Sequence, residues 1–276
     1  MPELPEIRAL SERLDDLLAG QTLTALSVLQ FSAAKTFDPP VDSAVGSSLA
    51  GVRWRAKYLV FDFGGPRLLV HLSQGGRIDV ERPPKRSRPK GAVARLTFDD
   101  VSLLIKEYGT QRKAGLWMVG AGDDGPMSRL GPDPFEPAFE ELLLTSGDRR
   151  RLHTMLRDQR TVSGIGRGYS DDILHRAKLS PYANLTQLSD EQRRGLVRII
   201  REVLTEALAS ERKRTGGLPP KLGDRFVIHN RHGTPCPRCG DDMKRVSYED
   251  YEVTYCPTCQ TGGKVLADRR LSRLLK

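Results

Sequence analysis

The chain has 276 residues, enough for two domains or one large domain with an appendage. Its 44 lysines and arginines against 35 acidic residues give a formal net charge of +9, the balance of a protein that meets a polyanion, although a merely soluble basic protein carries it too. No stretch approaches the ~20 consecutive apolar residues of a membrane span, the start lacks the layout of a secretory signal, and all four cysteines lie between 236 and 259. Neither a membrane-spanning helix nor a disulfide framework is therefore expected, and a cytoplasmic protein is.

In chain order, Ile7, Leu10, Leu14, Leu17 and Leu18 recur at helical spacing after Pro5, and Gly20 stands where a C-terminal cap is wanted, which predicts a helix of three to four turns. From about residue 21 to 119 short β-rich runs follow, such as Tyr58 to Phe63, Arg67 to Leu72 and Val101 to Ile105, divided by glycines and Asp-Asp turns; this predicts a sandwich or barrel. Phe37 to Val45 and the Pro-rich, basic Glu81 to Gly91 read as mobile segments. Residues 119 to 127, rich in Gly and acid, read as a linker. Beyond it, Ser189 and Gln192 have capping-box spacing, and Leu196, Ile199, Ile200, Val203, Leu204, Ala207 and Leu208 form a stripe for a helix ending near Lys213. The tail from Lys264 to Lys276 holds five basic residues and one acid.

Cys236-Pro-Arg-Cys239 and Cys256-Pro-Thr-Cys259 are two Cys-x-x-Cys pairs 16 residues apart, the spacing with which two hairpin turns present four thiolates to one tetrahedral zinc. A redox dithiol needs only one such pair. Four thiolates leave no open position, so this zinc is structural, and His229 and His232 just upstream read as surface or DNA-facing residues.

A penultimate proline lets Met1 be removed, exposing a secondary amine with a pKa near 8 that is partly unprotonated at neutral pH. Pro2 and the two acids that follow are equally an ordinary helix start. The wider pattern weighs between these readings. Pro2-Glu3-Leu4-Pro5-Glu6, Arg55-Ala56-Lys57-Tyr58-Leu59, His71-Leu72, Leu130-Gly131-Pro132-Asp133-Pro134, Asp158-Gln159 with Gly164-Ile165-Gly166, and the four cysteines ending in Gln260 keep their order from residue 2 to 260. In this the chain resembles the formamidopyrimidine-DNA glycosylase and endonuclease VIII family.

The resemblance implies an α+β multidomain protein: an N-terminal β-sandwich with a leading helix (1–120), a helix-two-turn-helix DNA-binding domain (128–218) and a C-terminal zinc ribbon with a basic tail (219–276), with DNA held in the cleft between the halves. It implies a bacterial, nucleoid-associated monomer that acts on double-stranded DNA bearing a damaged base or abasic site. Pro2 would be the nucleophile on C1′, Glu3 the proton donor and carrier, Glu6 its support, and Lys57, expected on a strand, a contact to the lesion phosphate and base. DNA contacts are expected from His71, Gln74, Arg112, His153, Gly164, Gly166, Arg167 and Tyr251.

Several of these depart from the family. Gln74 stands for the usual void-filling methionine, and Arg112-Lys113-Ala114-Gly115 keeps the arginine but loses the intercalating aromatic. Arg167 replaces an asparagine, His153 a phosphate-facing lysine and Tyr251 an arginine of the ribbon. The expected activity is base excision followed by abasic-site lyase chemistry. A sensor that binds abasic or distorted DNA without excising anything, and a zinc-ribbon DNA-binding module without lesion preference, remain open alternatives.

Overall fold

The computed structural model describes residues 1–108, 113–222, 225–248 and 251–267. The chain forms two compact units, Met1–Arg129 with Ala207–Gly223, and Leu130–Glu206 with Asp224–Lys276. Each unit is thus made from two stretches of chain, a coarser division than the three parts read from the sequence. Among the described residues no helix is long and apolar enough to cross a membrane.

In the first unit, helix α1 (Leu4–Leu18) buries Leu4, Ile7, Leu10, Leu14 and Leu18 on one face. Each fully buried leucine is worth roughly 1.5–3 kcal/mol of apolar burial. The helix stops at Ala19, followed by Gly20 at φ +84°, a left-handed position that costs glycine nothing. Eight strands follow: β1 (Ala25–Val28), β2 (Gly51–Arg55), β3 (Tyr58–Asp62), β4 (Arg67–His71), β5 (Gly76–Glu81), β6 (Ala92–Thr97), β7 (Ser102–Glu107) and β8 (Gly115–Val119). They form two antiparallel four-stranded sheets of order β1-β6-β7-β5 and β2-β3-β4-β8.

Alternation sends Leu59, Phe61, Leu68 and Val70 of one sheet and Leu96, Leu103 and Ile105 of the other into one core, which the apolar face of α1 joins. The Glu81 to Gly91 segment carries no regular structure beyond the end of β5, as its prolines imply. It is nevertheless tied down: buried Arg95 pairs with Glu81 at 2.9 Å and donates to the Ser87 carbonyl at 2.6 Å. The returning stretch 207–223 adds Leu218 and Leu222 to the core, and Leu218 bridges to Ile78 of β5.

The second unit holds helices α2 (Pro137–Thr145), α3 (Leu152–Arg157) and α4 (Arg167–Arg176), and most of α5 (Asp190–Glu211). It also holds the antiparallel hairpin of β9 (Lys244–Ser247) and β10 (Glu252–Tyr255), and the short α6 (Pro257–Thr261). Helix α4 is packed against α3, β10 and α6, which explains why Tyr169, Ile173 and Leu174 are all buried.

Candidate active site and nucleic-acid-binding residues

The N-terminus is enclosed, with Pro2, Glu3 and Glu6 all buried. Glu3 is the N-cap of α1, and its backbone N–H donates to Glu6 Oε2 at 2.7 Å, within the reciprocal arrangement of a capping box. The helix-start reading holds, and the geometry that starts α1 also places two carboxylates close to Pro2. In the full chain the Pro2 nitrogen is an amide joined to Met1, so the amine exists only after Met1 is removed. Arg214, which pairs with Glu211 at 2.9 Å, also feels the charge of Glu6. Nothing in the sequence singled Arg214 out, because its link to α1 is made by the returning chain.

Lys57 is not on a strand. It occupies the two-residue turn between β2 and β3, after Ala56 at φ +54°, while Arg55 pairs with Tyr58. The turn escaped the sequence reading because Arg-Ala-Lys-Tyr contains no Gly, Pro, Asn or Asp. Lys57 is 5% exposed. Its charge reaches His71, at the end of β4 opposite Tyr58, and burial together with that charge pushes the imidazole down to about 4. His71 is thus neutral near pH 7, and its Nδ1 accepts the Ser73 N–H at 3.3 Å. Its ring packs 4.8 Å from that of Tyr58.

Gln74 is exposed in the turn after β4, where it is free to project. Ala114 is buried in the core instead, its N–H donated to Glu107 Oε1 at 3.1 Å, so it does not line a void beside Gln74. The local pattern could not reveal this, since the anchoring carboxylate lies on the preceding strand. Arg112 lies outside the described residues.

In the second unit Gly164 (φ +88°) and Gly166 form the turn into α4, with Gly166 as N-cap and Arg167 as first helical residue. The Gly164 N–H is already engaged, donating to Gln159 Oε1 at 3.0 Å. His153, on α3, is 1% exposed, and among the described residues neither of its ring nitrogens has a hydrogen-bond partner. Burial, then the charges of Arg157, Arg151 and Arg167, push it down to about 3. A neutral, enclosed imidazole cannot replace a phosphate-facing lysine by charge. Its ring stacks against Tyr251 at 5.4 Å and Tyr248 at 6.1 Å. Tyr251 and Tyr248 stack on each other at 4.4 Å and 13°. The Arg157 guanidinium lies 3.6 Å and that of Arg167 5.1 Å from the Tyr251 ring. Tyr248, Arg151 and Arg157 were not legible as members of this group, because it is assembled from three separate segments, α3, the start of α4 and the hairpin.

The four cysteine sulfurs converge to within 4.8 Å of one another, with Cys236 to Cys259 at 3.9 Å and Cys239 to Cys256 at 3.5 Å. Tetrahedral zinc at ~2.3 Å from each sulfur sets sulfurs about 3.8 Å apart, so the donor set and its geometry fit one such ion. Buried His175 of α4 places Nε2 3.2 Å from Cys236 Sγ. Toward a thiolate that nitrogen can only donate, the orienting contact that metal-bound sulfur commonly receives.

Two carboxylates of α4 hold the segment before the cysteines and the hairpin. Asp172 accepts the N–H groups of Val227, Ile228 and His229 at 2.8, 2.9 and 3.3 Å. Asp171, raised by burial to about 6, accepts from Thr254 N–H at 3.2 Å and meets His229 Nδ1 at 2.7 Å. His229 is thus half-buried against Asp171 and stands apart from the four clustered cysteines, whereas His232 is exposed. The sequence gives no sign of what Asp171 and Asp172 hold, since their partners lie more than fifty positions away.

Comparison with known proteins places the chain in a family. Residues 1–117 match the formamidopyrimidine-DNA glycosylase N-terminal domain, and residues 130–216 match the helix-two-turn-helix domain of the same enzymes. The formamidopyrimidine-DNA glycosylase of Thermus thermophilus is 33% identical over 278 residues, covering 95% of this chain and all of that protein. A Mycobacterium tuberculosis protein described as an uncharacterized formamidopyrimidine-DNA glycosylase-like protein is 44% identical over 161 residues, 56% of this chain and 99% of that one. Among solved structures, a Lactococcus lactis FPG mutant in complex with DNA containing Fapy-dG superposes with TM-score 0.82 at 25% identity, covering 94% of this chain and 100% of that one. The Thermus thermophilus MutM (FPG) protein superposes with TM-score 0.80 at 31% identity, covering 96% and 100%. With both domain models matched in order and a relative of this identity aligned along nearly its whole length, the chain belongs to the formamidopyrimidine-DNA glycosylase family.

Proposed function

We propose that the protein is a DNA glycosylase with abasic-site lyase activity that uses the amine of Pro2 as nucleophile. The observation that carries the reading is the enclosed start of α1, where Glu3 adjoins Pro2 and Glu6 holds the Glu3 backbone at 2.7 Å. Once Met1 is removed, the Pro2 nitrogen attacks C1′ of the deoxyribose and the C1′–N bond to the base breaks, with a proton supplied to the departing base or the ring oxygen. Glu3 is positioned to move that proton as the sugar opens. The iminium acidifies the C2′ protons; loss of one expels the 3′ phosphate, and a second elimination expels the 5′ phosphate. Water then releases the sugar fragment and regenerates the amine.

Lys57, enclosed beside neutral His71, supplies a fixed positive charge for the lesion phosphate or the departing base. In the second unit, the turn at Gly164 to Gly166, Arg167 and the cysteine hairpin serve DNA binding. One zinc ion on Cys236, Cys239, Cys256 and Cys259 would hold the hairpin in shape without taking part in the chemistry.

The test is strand cleavage of a duplex carrying one abasic site. Protein whose N-terminus is Pro2 cuts it, and protein carrying an extra N-terminal residue does not; equal cleavage by both removes Pro2 from the mechanism. The departures at Gln74, His153 and Tyr251, positions where the resemblance implies DNA contacts, favour a second reading, a sensor that binds abasic or distorted DNA and leaves it intact. Binding without cleavage by the Pro2-terminated protein would select it.

A further inference from the structure

Helix α4 ends in a left-handed cap. Lys178, at φ +56°, donates its N–H to the His175 carbonyl at 3.1 Å, and Leu179 N–H donates to the Leu174 carbonyl at 3.0 Å. Side chains from both cysteine pairs finish the turn. Arg238, inside Cys236-Pro-Arg-Cys239, donates to the His175 carbonyl at 2.8 Å and lies 3.4 Å from that of Arg176. Gln260, next to Cys259, donates to the Leu179 carbonyl at 2.9 Å while its own side-chain oxygen accepts the Cys256 N–H at 2.9 Å. A helix end leaves carbonyls over, and a guanidinium is well placed at that negative end of the dipole.

The helix reaches into the cysteine cluster in return. His175, 4% exposed near the end of α4, places Nε2 3.2 Å from Cys236 Sγ, and the Arg238 backbone N–H approaches the same sulfur at 3.5 Å. Residue 175 is therefore engaged twice by one four-residue turn: its ring faces the sulfur of Cys236, and its carbonyl accepts from Arg238. Four thiolates complete a structural metal site without help from either residue. A phenyl ring at 175 would fill much the same space; the imidazole adds a donor aimed at sulfur.

We propose that His175 and Arg238 are positioning residues that couple metal held by the four cysteines to the end of α4. The His175 ring N–H steadies the Cys236 thiolate, and Arg238, held in place by the occupied turn, caps the helix. The proposal rests on the zinc part of the function proposed above and is independent of the chemistry at Pro2.

The experiment follows zinc release from the full-length, zinc-loaded protein into an excess of a chromogenic chelator. His175→Phe, which keeps a ring and loses the donor, is expected to release zinc about tenfold faster than the parent, the scale of a lost contact to a metal-bound ligand. His175→Gln, whose amide N–H reaches about as far as Nε2, is expected to stay within about threefold of the parent. Arg238→Ala, a change at an exposed position, is expected to quicken hydrogen exchange of the Lys178 and Leu179 amides about tenfold, and chelation of the metal from the parent to do the same. With cadmium in place of zinc, NMR is expected to show the His175 ring N–H proton coupled to the metal nucleus through the Cys236 sulfur, a signature that packing alone does not produce.

Four results would each overturn the proposal: parental release by His175→Phe, equal acceleration in His175→Phe and His175→Gln (packing only), a cadmium spectrum without coupling at His175, or unchanged exchange at Lys178 and Leu179 after chelation. A parent that holds no metal, shown by elemental analysis before chelator is added, would overturn the zinc reading itself and this proposal with it. Should His175→Phe fail to fold, judged by melting, the cadmium spectrum of the parent and the exchange of Arg238→Ala still decide the matter.

Discussion

The backbone N–H of Glu3 donates to the side chain of Glu6 at 2.7 Å, joining the residue beside the nucleophile to the first turn of α1. Glu6→Ala removes that acceptor and leaves a buried donor unpaired. It is expected to destabilise the protein by about 1–3 kcal/mol and to lower abasic-site cleavage more than it lowers DNA affinity. Glu6→Gln retains an acceptor and is expected to recover most of both. Thermal melting and single-turnover cleavage on one preparation check this.

Lys57 and His71 share a second relationship that can be measured. Burial and the Lys57 charge together hold His71 at about 4. Lys57→Met removes the second cause and leaves the first, so the His71 ring is expected to titrate higher than in the parent while staying below the ordinary imidazole value. Ring-proton NMR between pH 3 and 7 reads this directly. The same variant is expected to lose about 10²-fold in turnover, the scale on which a preorganised charge acts.

Acid stability follows from His153. Its folded-state value, about 3, lies below the 6.5 of the unfolded chain, so the folded state binds fewer protons between those limits. Its contribution is complete above pH 6.5 and falls as the pH drops toward 3. At pH 5 the loss relative to pH 7 is about 2 kcal/mol. His153→Phe keeps a ring and cannot take the proton. Denaturant melts at the two pH values are expected to show a smaller decline for this variant than for the parent.

The metal expectation is tested by removal. The purified protein is expected to hold one zinc per chain by elemental analysis, and Cys239→Ser to lose it. Hydrogen exchange should then quicken in the hairpin from Lys244 to Tyr255 and in the amides of Val227 and Ile228 that bond Asp172, with α1 and the two four-stranded sheets keeping their protection.

What the sequence made legible was the part governed by short-range pattern. Leu10 and Leu14 gave α1, Gly20 its end, and the cysteine spacing a shared site, since each signal lies within a few residues of its effect. The α5 stripe predicts an end near Lys213, and the helix ends at Glu211. Lys57 was misplaced by one element because an alanine takes the left-handed position that turn signals assign to Gly or Asn. Asp171, Asp172, His175 and the Tyr248–Tyr251 stack were illegible for a different reason. Their meaning lies in partners from distant segments, and no periodicity encodes which buried carboxylate will meet which backbone N–H.

The most direct test of the account is borohydride reduction during reaction with duplex DNA containing an abasic site, using protein shown by mass to begin at Pro2. The account predicts a covalent protein–DNA adduct whose crosslink maps to the Pro2 nitrogen. A protein that binds and cleaves this duplex yet yields no adduct, or one whose adduct maps to a lysine, would contradict it.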